Sequence, residues 1–168
     1  MFVSSFSAGF GGIRELLAVP EHLAQIDGVI LADSLYAGYL GDPSQRRIDP
    51  AKMAGFRQFA AEAAAGRKTM IVTHSAQIPT GYASTTETAD DLIAHVGGKA
   101  DSVDQDWGDG WRLKGRFAKG RLIVLGFAGD GPDDHMRHLR RIDKIWLAAI
   151  EVERQGRVSG PRVPTTRP

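Results

Sequence analysis

Short, unbroken apolar runs alternate along this chain with stretches whose apolar positions recur every three to four residues. Gly28 to Ala32, Lys68 to Thr73 and Arg121 to Phe127 carry runs of the first kind, and Phe2 to Ser5, after the apolar start Met1-Phe2-Val3, reads as a further short strand. Runs of this length predict strands covered on both faces, as in a parallel sheet. The intervening segments predict helices. Gly11 to Val19 is helical and stops at Pro20, and Glu21 to Ile26 adds a helical turn. Asp49-Pro50 reads as an N-cap followed by proline at the first helical position, with Gly66 as the stop. Met53, Phe56, Phe59 and Ala60 form the apolar stripe of that helix. Ser84-Thr85-Thr86-Glu87 has capping-box spacing and predicts a helix over Thr88 to Val96, ended by Gly97-Gly98. His135 to about Glu153 predicts one long helix, with Met136, Leu139, Ile142, Ile145, Trp146, Ala149 and Ile150 on one face. Trp111 to Phe117 alternates loosely, and Lys119-Gly120 predicts a hairpin turn into the last strand. Lys99 to Gly110 is polar and reads as irregular.

This alternation predicts an α/β fold: one parallel sheet with helices on both faces. The expected strand order follows the chain from Phe2 through Gly28 and Thr69 to Leu122. The outer side of the Phe2 strand is then an open edge, a place for self-association. Residues 1–154 make one domain, and 155–168, without periodicity, read as a disordered tail.

Functional groups in parallel sheets gather beyond the carboxyl ends of the strands. Ser7 follows the first strand, Asp33 the second, Thr73-His74-Ser75 the third, and Asp130 to His135 the fourth. Ser5-Phe6-Ser7-Ala8-Gly9 has the small residues that a serine on a sharp strand-to-helix turn requires. A serine hydroxyl needs a base to take its proton and a carboxylate to orient that base. The order Ser7, Asp33, His135 supplies nucleophile, acid and base. Plainer roles exist for each. Asp33 can accept hydrogen bonds from the amides of Ser34 and Leu35, and His135 can simply pack at a helix start. His138, one turn later, is an alternative base. His74 is placed to line the site or orient the acid. Tyr82, Trp107 and Trp111 are candidate pocket walls, with local packing as the simpler role.

Composition removes several classes. The chain has 168 residues, 42% hydrophobic and 24% charged, with a net charge of +1, which gives no reason to expect nucleic acid. Without cysteine it has no disulfide, thiolate nucleophile or cysteine-bound zinc. No apolar run approaches membrane-spanning length, and no signal-peptide pattern opens the chain, which makes the cytoplasm the default compartment. His135, His138, Asp133 and Asp134 lie close in sequence but lack the spacing of a metal site, and none is expected. The glycine-rich turn lacks the Gly-Lys-Ser/Thr ending of a phosphate loop. No cofactor is expected.

Five segments carry a family resemblance: Ser4 to Leu16, Leu31 to Tyr39, Val72 to Ser75, Ala83 to Asp90, and Leu125 to Asp130 with Asp134-His135. Together they resemble the C-terminal half of bacterial α/β-hydrolase-like proteins, from the nucleophile elbow onward. The resemblance implies a partial α/β-hydrolase fold lacking the early strands. Ser7 is then the nucleophile, Asp33 the acid and His135 the base. The Ala8 amide is an oxyanion donor, and Phe6, Tyr36, Thr73 and His74 line the site. The implied reaction is hydrolysis of an ester or related acyl bond of a small molecule through an acyl-enzyme. Two features depart from the family. Ser5 stands where the elbow has glycine, and the early loop that gives a second oxyanion amide is lacking. Loss of one such donor costs ~10²–10³ in rate. The alternative is a non-catalytic binding domain or inactive fragment of hydrolase ancestry.

Overall fold

The computed structural model describes residues 1–158, with side chains through residue 154. Strands β1 (Phe2–Phe6), β2 (Gly28–Ala32), β3 (Thr69–His74), β4 (Asp101–Asp106), β5 (Arg112–Lys119) and β6 (Leu122–Phe127) form one mixed sheet in the order β1-β2-β3-β6-β5-β4. β1, β2, β3 and β6 run parallel in the expected order, and the β5–β6 hairpin and β4 extend the sheet antiparallel.

Helices α1 (Phe10–Leu17), α2 (Pro20–Gln25), α3 (Pro50–Ala64) and α4 (Thr85–His95) alternate with the parallel strands. They are followed by α5 (Pro132–Arg140) and α6 (Ile142–Val158). All of β2 is buried because its alternate side chains enter different cores. Val29 and Leu31 pack with Leu17, Phe56, Phe59 and Leu92. Ile30 and Ala32 pack with Trp111, Phe127, Ile145 and Ala149. Local signals start two of the helices. Asp49 caps α3 by accepting from the Ala51 amide at 2.9 Å, and Ser84 and Glu87 close a reciprocal capping box on α4.

Three expectations require correction. Asp101–Asp106 is a strand, not an irregular segment. It lies at the sheet edge with mostly exposed side chains, so backbone pairing with β5 holds it without an apolar pattern. Asp104 pairs with Arg112 and Lys114 on that neighbour. The C-terminal helix is two helices that break at Arg141, whose φ of −115° leaves the helical region. Arg141 pairs with Asp109, and Lys144 donates to the Trp107 carbonyl, so the 107–109 loop grips the break. Leu139, expected on the buried face, is 42% exposed; His138 is buried in α5 instead. Finally, α6 runs to Val158, so helix extends into the expected tail. Residues 159–168 lie outside the described residues.

β1 has β2 as its single strand neighbour among the described residues. Among those residues, no helix is long and apolar enough to cross a membrane.

Candidate active site

β1 delivers the chain to Ser7 and a 3-10 turn (Ser7–Gly9) returns it into α1. Ser7 sits at φ 52°, in the left-handed region that non-glycine residues rarely occupy. A hydrogen-bonded strut holds it there. The fully buried Ser34 donates its hydroxyl to the Ser7 carbonyl at 2.8 Å. Ser5 Oγ meets Ser34 Oγ at 2.7 Å. With the Ser34 proton committed to the carbonyl, Ser5 is the donor of that pair. Ser5 thus does something that glycine could not do at this position. Space is tight on the other side of the turn, because a Cβ on Gly9 would lie 3.1 Å from Ser5 Cβ.

Asp33 follows β2, also with a positive φ, 42°, and is completely buried. Its amide donates to the Thr73 carbonyl at 3.0 Å and to Thr73 Oγ1 at 3.2 Å. Oδ1 accepts from the Ser75 amide at 2.9 Å and from Thr85 Oγ1 at 2.5 Å. The carboxylate is therefore held by the neighbouring strand end and by α4, not by the amides of Ser34 and Leu35. Burial raises the carboxyl pKa, but its electrostatic and hydrogen-bonding partners outweigh burial and leave it below its ordinary value. Those partners are His138, Thr85, His135 and the Ser75 amide. His138 is itself pushed down to about 4, chiefly by burial, so near neutral pH the hydrogen bonds carry this effect.

Asp33 Oδ2 faces His135 Nδ1 at 2.7 Å, and His135 Nε2 faces Ser7 Oγ at 2.9 Å. The ionised carboxylate sets the tautomer: Nδ1–H donates to Asp33, leaving Nε2 to accept the Ser7 hydroxyl proton. His135 stands in the first turn of α5, whose start is fixed by Pro132 and by the Gly131 amide donating to Asp134 Oδ2 at 3.2 Å. The Phe6 ring stacks on the imidazole with centroids 4.6 Å apart.

The structure thus brings together residues from three strand ends, with 128 positions separating Ser7 from His135. No family model, curated protein or solved structure matches the chain significantly. The chemistry of the site rests on its geometry.

Ser7, Ala8 and His135 open onto a cavity of about 450 Å³. Phe10, Tyr36 and Tyr82 give it aromatic walls, and Arg14, Lys52 and Gln77 add polar ends. Burial, then the nearby Asp33 and Tyr82, push the Tyr36 hydroxyl well above its ordinary pKa, so it remains a donor. Ala8 lies in the first turn after the elbow, where a backbone N–H has no carbonyl of its own helix to meet.

Thr73 and His74 do not line this cavity. Thr73 Oγ1 lies behind Asp33 and bonds His138 Nδ1 at 2.7 Å. His74 packs its ring on Gly126 and bonds Thr86 Oγ1 at 2.9 Å. His138, the alternative base, is fully buried with Nε2 unpartnered and does not reach Ser7. Trp107 and Trp111 belong to the second core, where Trp111 stacks on Phe127 at 3.9 Å. Ser34, Thr85, Arg14, Lys52 and Gln77 have positions at the site that sequence reasoning did not assign, and Ser75, named there as a strand-end candidate without a role, donates its amide to Asp33. Adjacency to Asp33 and His74 is a signal for Ser34 and Ser75. Among the described residues, no group of three His, Asp or Glu converges as a metal site.

Proposed function

We propose that this chain is a serine hydrolase of the α/β-hydrolase type that cleaves an ester or related acyl bond through an acyl-enzyme on Ser7. The observation that carries this reading is the unbroken chain Ser7 Oγ–His135–Asp33, at 2.9 and 2.7 Å. Strained backbone at a bland turn would have no use; here it aims one hydroxyl at an imidazole and into a cavity.

In this reading Ser7 Oγ attacks the substrate carbonyl carbon while His135 Nε2 takes its proton. Asp33 stabilises the imidazolium without accepting that proton. The tetrahedral intermediate collapses, Nε2 returns the proton to the departing alkoxide, and the acyl group stays on Ser7. A water then loses a proton to Nε2, attacks the acyl carbon, and releases the acid with Ser7 reprotonated. The Ala8 amide is one donor to the oxyanion, and the Tyr36 hydroxyl is a further neutral donor on the same wall. A well-placed general base contributes about 10²–10⁴ in rate.

A fluorophosphonate probe tests the reading. Covalent labelling of Ser7, lost in Ser7→Ala, together with hydrolysis of p-nitrophenyl hexanoate, is the expected result. Absence of both leaves the binding-domain alternative in its place.

A further inference from the structure

The cavity beside Ser7 carries two cationic side chains with little to neutralise them. Arg14 and Lys52 both line it. Among the described residues Lys52 makes no ion pair or side-chain hydrogen bond. Arg14 has one, through Nε to the exposed Glu15 at 3.4 Å, which leaves its terminal nitrogens for a ligand. The Arg14 guanidinium also rests 5.6 Å from the centre of the Phe10 ring, which orients it on the cavity wall. The carboxylate closest to the nucleophile, Asp33, is buried and committed to His135, Ser75 and Thr85.

Lys52 is also poorly placed for its own helix. It is the third residue of α3, at the positive end of the helix dipole, where acidic side chains are favoured. An anion in the cavity would meet Lys52 and Arg14 together, in a partly enclosed space where charge interactions exceed those in bulk water.

We propose that the substrate carries an anionic group, a carboxylate or phosphate, held by Arg14 and Lys52 while its acyl carbon sits at Ser7. This inference rests on the hydrolase reading and adds the substrate class to it. The aromatic walls then take the apolar portion between the two groups.

Two matched pairs of esters test it. The hemiester p-nitrophenyl adipate is compared with p-nitrophenyl hexanoate for an anion on the acyl side. Para-acetoxybenzoate is compared with phenyl acetate for an anion on the alcohol side. At least one anionic member should have the higher kcat/KM relative to its neutral partner, and that ratio should decline with added salt. Lys52→Met and Arg14→Met should each lower the ratio about tenfold, the loss of one charge-assisted contact. Lys52→Glu should invert it. Equal or better use of both neutral esters, with ratios indifferent to these variants, overturns the anion site and leaves the hydrolase standing.

If Ser7 fails to label and no ester is cleaved, the hydrolase reading falls separately. The anion site is then judged by an NMR titration with adipate. Shifts of the Arg14 Nε–H and His135 ring signals that Lys52→Glu abolishes support it, and their absence overturns it.

Discussion

Ser34 donates its hydroxyl to the carbonyl of Ser7 at 2.8 Å, tying the turn after β1 to the residue that follows Asp33. One short side chain therefore links the backbone of the proposed nucleophile to the segment that carries its proposed acid.

Ser34→Ala should loosen the elbow. It leaves the Ser7 carbonyl and the Ser5 hydroxyl without their partner in a part-buried site. The expected cost is about 1–3 kcal/mol, the penalty for stranding buried polar groups. A denaturant titration measures it. In the proposed hydrolase, kcat should fall further than the affinity for substrate, because the turn aims the attacking atom. A variant with unchanged kcat would show that the φ of Ser7 is held by other contacts.

Asp33→Asn separates the charge of the acid from its shape. The amide oxygen can still accept from Ser75 and Thr85. The amide nitrogen would face His135 Nδ1 and select the tautomer with Nε2–H, which cannot accept the Ser7 proton. The expected loss in kcat is ~10⁴, with the fold retained by circular dichroism. Steady-state kinetics on p-nitrophenyl hexanoate checks it.

Acid should destabilise the fold through His138. Its folded pKa is pushed down from 6.5 to about 4 by burial, so the unfolded chain binds the extra proton between those values. Its contribution is complete above pH 6.5 and is lost as pH falls toward 4, by roughly 3 kcal/mol. His74 is also lowered by burial and contributes with the same sign. Asp33, lowered below the ordinary carboxylate value, adds a further loss at more acid pH. Denaturant midpoints measured from pH 7 to 4 should fall steeply in the wild-type protein and less steeply in His138→Gln. Parallel slopes would remove His138 from the account.

Gly126→Ala should disturb the packing behind the acid. A Cβ there would meet the His74 ring at 2.6 Å, and that ring is held by Thr86. Overpacking of this kind costs about 1–3 kcal/mol. Thermal unfolding measures it, and His74→Ala in the same background should recover part of the loss by vacating the space.

The parallel half of the fold was legible in the sequence because its signals are local. Gly28 to Ala32 is apolar at successive positions because both faces of β2 are covered, and Asp49-Pro50 and Ser84 to Glu87 carry their own capping chemistry. The order Ser7, Asp33, His135 was legible for a related reason. Parallel strands joined by helices place every strand's carboxyl end on one edge of the sheet, so candidates there are neighbours in space.

Tertiary structure decided what depends on long-range contact. β4 exists because β5 lies beside it, and the break at Arg141 depends on Asp109 and Trp107. Burial, not helical periodicity, separated His138 from His135: one is enclosed behind Thr73, the other reaches Ser7. Arg14 and Lys52 lie on different helices, with nothing in their local sequence to show a shared cavity. Local pattern determined the parallel strands, the helix caps and the turn at Ser7, since those rest on backbone geometry and nearby polarity. Only the folded chain determined which side chains meet across it, because hydrogen bonds and charge interactions act over a few ångströms whatever their separation in sequence.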